Sequence, residues 1–188
     1  MRCPKHKDME LELVELSDQT PRAYTCACCE GKWIAADDYQ AWQKGEDLQQ
    51  PVFLPDAEME YVPSDLDVKG GLCPECGSYL TRLKVFYTLK RSFYLERCAA
   101  CGGFWCDRGE WQVLQQLGQD RQLPQLFSTR WQILVREQQK IELERQMVVD
   151  KLGEELATQL FDLIGNLADH PQGEFAVNYL SRQVRLTN

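Results

Sequence analysis

The chain has 188 residues, a formal net charge of −8 at pH 7, 44% hydrophobic residues and 27% charged residues. That is the balance of a folded chain in water, with room for one domain or two small ones. It excludes a wholly basic nucleic-acid protein. No apolar run approaches the roughly 20 residues needed to span a bilayer. The opening MRCPKHKDMELE has no apolar stretch of the secretory-signal kind, so a cytoplasmic location is expected. Nine cysteines against two histidines are the feature to explain, and the odd number means disulfides alone cannot use them all.

In chain order, residues 1–46 carry Cys3-Pro4-Lys5-His6, then Cys26-Ala27-Cys28-Cys29, Gly31 and Trp33. Residues 47–71, with prolines at 51, 55 and 63, Gly70-Gly71, six acids and one lysine, read as an extended or loosely packed linker. Residues 72–118 repeat the first segment. Cys73-Pro74-Glu75-Cys76 matches the first motif at an offset of 70, and Cys98-Ala99-Ala100-Cys101 matches the second at 72. Gly103 and Trp105 then meet Gly31 and Trp33, so the pattern is read as an internal duplication. Alternation over 79–87 and about 92–97 predicts a hairpin. Trp33 and Trp105 are expected to fill a small core beside each knuckle. Asp107 is expected to cap a helix through Trp111, Val113, Leu114 and Leu117, with Glu110 bonding back to the Asp107 N–H. In residues 119–188 a helix starts at Pro124 and runs to about Ala168, with Gly153 and Gly165 as weak points. After a turn at 169–173 a last helix, about 174–186, packs back to make a helical hairpin.

Paired Cys-x-x-Cys turns let two thiolates reach one ion, and two such turns make a closed tetrahedral site. The ligands are therefore Cys3, His6, Cys26 and Cys29 in the first site and Cys73, Cys76, Cys98 and Cys101 in the second. His6 is chosen because it occupies the position of Cys76. Four sulfurs suit iron as well as zinc, and the histidine in the twin site favours zinc, at two ions per chain. Cys28 and Cys106 are left over. They read either as partly buried thiols or as a thiol redox switch at a zinc site.

Residues 73–111, CPECGSYLTRL…YLERCAACGGFWCDRGEW, resemble the bacterial TFIIB-type zinc-ribbon family, with its CPxCG knuckle, hairpin and CxxCGGxWLDRGE segment. Cys106 stands where the family usually has an apolar residue. Residues 3–42 resemble a degenerate copy, with Ala35-Ala36-Asp37-Asp38 in place of Asp-Arg-Gly-Glu. The resemblance implies zinc binding and a ribbon fold, and it does not imply an enzyme. The expected fold is small α+β, two tandem zinc ribbons followed by a long-helix hairpin.

Closed four-ligand sites leave no position for a reacting water, so no enzyme is expected. The expected role is a protein-interaction, assembly or regulatory factor. Self-association through the long helix is a second use of its apolar stripe. Residues 72–111 carry a net +2 within the acidic chain. Arg82, Lys84, Phe86, Lys90 and Arg91 on that hairpin are the candidate face for a partner or for single-stranded nucleic acid. A transcription-linked factor docking on RNA polymerase or nucleic acid is the alternative. The acidic hairpin of the first copy, with Glu10, Glu12 and Glu15, is a candidate to dock on this basic one as a pseudo-two-fold pair.

Overall fold

The computed structural model describes residues 1–14, 21–43, 50–54 and 60–186, with side chains to residue 183. Glu15 lies outside the described residues. The fold is small α+β. Its six strands are β1 (Leu11–Val14), β2 (Ala23–Cys26), β3 (Lys32–Ile34), β4 (Leu80–Phe86), β5 (Ser92–Cys98) and β6 (Phe104–Cys106). Its helices are α1 (Ala36–Trp42), α2 (Glu110–Gln116), α3 (Leu123–Leu126), α4 (Thr129–Leu152), α5 (Glu154–Ala168) and α6 (Gly173–Leu186). Two compact units divide the chain, Met1–Gln138 and Gln139–Asn188.

In the first unit all strands join one antiparallel sheet in the order β1-β2-β3-β6-β5-β4. The segments expected to form separate ribbons meet at its centre, where β3 pairs with β6 in the register Lys32↔Cys106, Trp33↔Trp105 and Ile34↔Phe104. Side chains alternate across a strand, so the two tryptophans share one face while Ile34 and Phe104 share the other. On the tryptophan face Trp33 and Trp105 cluster with Cys3, Leu11, Cys26, Cys73, Leu80 and Cys98. On the opposite face Ala23, Ile34, Val85, Phe93, Leu95 and Phe104 pack under Tyr39 of α1, Trp111 and Leu114 of α2, Leu123 and Leu126 of α3, and Trp131 of α4.

The tryptophans do not fill two separate small cores. They cross. The space where a Cβ at Gly31 would stand is taken by the Trp105 ring, and the space at Gly103 is taken by the Trp33 ring. Only glycine permits so close an approach. The two buried rings therefore lock the halves reciprocally. The charged hairpins do not dock on each other, because β1, which carries Glu12, and β4, which carries Arg82 and Lys84, are the opposite outer strands of the sheet.

Three local readings are corrected. First, Asp107 does not cap α2. The helix begins at Glu110 after Gly109, whose φ of 84° is left-handed, and Asp107 Oδ1 instead accepts a hydrogen bond from Trp105 Nε1 at 2.7 Å. The return bond from the Asp107 N–H to Glu110 Oε2, also 2.7 Å, does form. Second, the long helix from Pro124 is three helices. Ser128 Oγ accepts from the Trp131 N–H at 3.2 Å, the geometry of a fresh helix start. At Gly153 φ is 78°, which ends α4. Within the second unit the Arg145 guanidinium lies 4.0 Å from the centre of the Phe161 ring, so the chain turns back at that break. Third, of the two states expected for the linker, its described part is extended and packed rather than loose. The Leu54 N–H bonds to the Tyr87 carbonyl at 2.7 Å, Tyr61 stacks edge-on against Tyr87 and Phe93, and Asp67 is buried.

Candidate metal centres

Each cysteine pair sits in a turn built by its own backbone. In the second half Gly77 N–H bonds to Cys73 O, Cys98 N–H to Gly103 O and Gly102 N–H to Cys98 O. In the first half Cys26 N–H bonds to Gly31 O and Glu30 N–H to Cys26 O, the same bonds 72 residues earlier. Gly102 has φ 83° and Glu30, its counterpart, φ 58°. Inside the turns backbone N–H groups point at sulfur: His6 at Cys3 Sγ (3.3 Å), Cys76 at Cys73 Sγ (3.5 Å) and Cys101 at Cys98 Sγ (3.4 Å). Such bonds stabilise thiolate charge.

The turns bring together Cys3, His6, Cys26 and Cys29 in one group and Cys73, Cys76, Cys98 and Cys101 in another, with the ligand atoms of each group within 4.8 Å of one another. Sγ–Sγ separations are 3.6 Å for Cys3 and Cys29, 3.5 Å for Cys73 and Cys101, and 3.4 Å for Cys76 and Cys98. A tetrahedral ion with bonds of about 2.3 Å to sulfur has ligands about 3.8 Å apart, so each group has the size to hold one metal ion. His6 Nδ1 is buried without a hydrogen-bond partner, as a ring nitrogen reserved for a metal would be. Three thiolates plus an imidazole, and four thiolates, are donor sets compatible with two zinc ions.

The hydrogen bond with Cys29, aided by backbone N–H groups, draws Cys3 down to about 5, while the same bond pushes Cys29 up. At the second group the Ser78 hydroxyl and N–H draw exposed Cys76 down to about 6, whereas burial raises Cys73 and Cys101. Each group thus contains a sulfur whose surroundings favour the thiolate.

The two remaining cysteines differ. Cys28 is exposed and Cys106 is fully buried. Burial raises the Cys106 thiol well above its ordinary value, with Glu110 and Asp107 adding to the effect. A buried thiol without thiolate character reacts slowly. In metal-loaded native protein a colorimetric thiol titration should find one rapidly reacting cysteine, and Cys28→Ser should abolish it. Rapid reaction that instead disappears in Cys106→Ser would revive the redox-switch reading.

The candidate partner face is only partly available. Arg82 is occupied inside the protein: its guanidinium donates to the Asp67 and Val68 carbonyls, lies over the Tyr94 ring and pairs with Glu96. Lys84 is exposed, with its ammonium 5.0 Å from the centre of the half-buried Phe86 ring. Lys90 and Arg91 are exposed in the turn between β4 and β5, where their N–H groups bond to Thr88 Oγ1.

Sequence reasoning missed Lys5. This lysine projects from the first knuckle, with only 1% of its side chain exposed, and its ammonium lies 3.0 Å from Glu96 Oε1 and 3.6 Å from Asp107 Oδ2. It also donates to the Leu66 and Lys69 carbonyls. A residue in a Cys-x-x-His turn ordinarily faces solvent, and no local pattern marks this one as buried. A groove of about 630 Å³ separates the knuckles, lined in part by Met1, Arg2, Pro4, Lys7, Leu72 and Tyr79.

Comparison of the chain with protein-family models, with curated proteins and with solved structures finds no match. No helix among the described residues is long and apolar enough to cross a membrane.

Proposed function

We propose that the chain is a non-enzymatic zinc protein in which two duplicated, TFIIB-type zinc ribbons present a helical interaction module. Zinc is supported by the two donor sets and the orphaned His6 nitrogen. Duplication is supported by the knuckle hydrogen bonds shared 72 residues apart and by the reciprocal tryptophan–glycine packing. The two groups together hold four protein ligands each, which suits structural rather than catalytic zinc.

The observation that carries the interaction role is the helical unit after Gln138. Among its described residues Ala157 is the one buried hydrophobic side chain. Leu156, Ile164, Phe175 and Val177 are each more than half exposed. Fifty residues with so little core do not hold a fixed packing alone, and helices of this kind gain stability by covering an apolar face. The protein therefore acts as an assembly or regulatory factor that completes these helices with a protein surface. A variant with Leu156, Ile164 and Phe175 changed to serine should keep two zinc ions and lose both concentration-dependent sedimentation and capture of a specific protein. A wild-type chain that stays monomeric, and whose capture profile the triple variant leaves unchanged, would sink this reading.

A nucleic-acid or polymerase-docking role remains the second reading because Lys84, Lys90 and Arg91 are exposed on one hairpin. Arg82 contributes little to such a face, since its charge is spent on Glu96.

A further inference from the structure

Three carboxylates lie outside both cysteine groups. Asp67, Asp107 and Glu110 each offer one oxygen, and these oxygens fall within 4.8 Å of one another. They come from the strap before the second knuckle, the residue after β6 and the first turn of α2. All are buried, Asp67 and Asp107 at 5% exposure and Glu110 at 0%. Each is held through one oxygen by a fixed donor. Tyr94 N–H binds Asp67 Oδ1, Trp105 Nε1–H binds Asp107 Oδ1 and Asp107 N–H binds Glu110 Oε2, each at 2.7 Å. The opposite oxygens of two of them, Asp107 Oδ2 and Glu110 Oε1, are buried with no hydrogen-bond partner, Asp107 Oδ2 having the Lys5 ammonium at 3.6 Å.

A second observation comes from Glu96, which is not one of the three. It is 0% exposed and lies across Lys5 from Asp107. Its Oε1 takes Lys5, and its Oε2 is also buried and unpartnered. If all four carboxyls were ionised they would carry four negative charges, against two positive ones on the cations paired with them, Lys5 and Arg82. Two negative charges would then be left uncompensated among these buried groups. Uncompensated buried charge is strongly unfavourable. One divalent cation balances it, and orienting donors behind each ligand are what metal sites use to aim their carboxylates.

We propose that Asp67, Asp107 and Glu110 form a third metal centre that takes a hard divalent cation of the magnesium or manganese class. Its all-oxygen donors select against the thiophilic ions held by the cysteines. The first half of the sheet has no equivalent, because Ala35 and Asp38 stand 72 residues before Asp107 and Glu110.

The test uses the full chain carrying two zinc ions and stripped of other divalent ions. Titration with Mn²⁺, followed by calorimetry and by the loss of the free-ion paramagnetic resonance signal, should find one further site per chain. Asp67→Asn and Glu110→Gln should each weaken it by at least about tenfold while zinc stays at two. Mg²⁺ should compete. No Mn²⁺ uptake at millimolar concentration, or equal uptake by wild type and both variants, overturns the proposal, as does release of zinc in step with uptake. If a variant fails to retain its zinc, the wild type decides alone. Tb³⁺ should then show emission sensitised by tryptophan, because Trp105 is hydrogen-bonded to Asp107, and absence of that emission overturns the proposal.

Discussion

Removal of the ions from both cysteine groups, with a mercurial and a chelator, is expected to release two zinc ions per chain and to melt all six strands in one transition. The ligands are themselves the core of the tryptophan face, where Cys3, Cys26, Cys73 and Cys98 pack with Leu11, Leu80, Trp33 and Trp105. Little other apolar material is available there. Binding of a structural zinc ion contributes about 10–16 kcal/mol of apparent free energy, against the roughly 5–15 kcal/mol by which a whole domain is stable. Cys73→Ser should therefore bind one ion. Its effect should also reach the first half, because Trp33 packs on Gly103 and Trp105 on Gly31. Zinc released to a chromogenic chelator gives the count, and tryptophan emission follows the sheet. If emission shifts in two separate steps as the ions leave, the halves are energetically independent and the shared-core description fails.

Lys5→Met should destabilise the protein by about 3–5 kcal/mol, the range for breaking one partner out of a buried ion pair. The substitution keeps the stem and removes the charge that faces Glu96 and Asp107. It also leaves the Leu66 and Lys69 carbonyls without this donor. Adding Glu96→Gln should recover part of the loss, since the remaining damage is then one fewer buried charge; urea titration of the two single variants and the double variant measures the coupling. The pH dependence has a definite sign. Burial pushes the Glu96 carboxyl up to about 7, against the pull of Lys5 and Arg82. The folded state thus holds this proton when the unfolded chain has already released it. Its contribution is fully present below the ordinary carboxylate range and is lost as pH rises through about 7. Without the pull of Lys5 the carboxyl titrates higher still, so the Lys5→Met penalty should ease as pH is lowered toward about 7. A substitution costing less than about 1 kcal/mol would mean that Lys5 behaves as a surface charge.

The two groups that could each hold a metal ion were legible in the sequence because a Cys-x-x-Cys turn is a local device. Four residues fix where two sulfurs can go, and the second copy identified His6. The β4–β5 hairpin was legible for a similar reason, since alternation is a property of a single strand. The joining of β3 to β6 was not. Each strand is three residues long, too short for a pattern that names its partner, and the pairing depends on contacts 70 to 74 residues apart. Lys5 and Asp67 were missed for the same reason. A lysine in a turn and an aspartate in an acidic linker look solvated until the sheet folds Glu96 and Asp107 beside them. The break at Ser128 was invisible to apolar spacing, which continues through it in step, whereas the break at Gly153 coincides with a residue already marked as weak.

The pairing of β3 with β6 has the form of a contact between two identical subunits. Trp33 meets Trp105 at its centre, each ring covers the other half's glycine, and in a two-fold dimer residue i meets j wherever j meets i. In such a dimer every substitution appears on both sides of the axis. Within the proposed duplication, covalent linkage removes that restriction. One half can carry Lys5 where its twin has Glu75, and Ala35 and Asp38 where its twin has Asp107 and Glu110. The lysine then meets acids that its own half has given up. A symmetric ancestor would have had to hold both partners twice over, so the buried charge network belongs to the fused chain and not to either half.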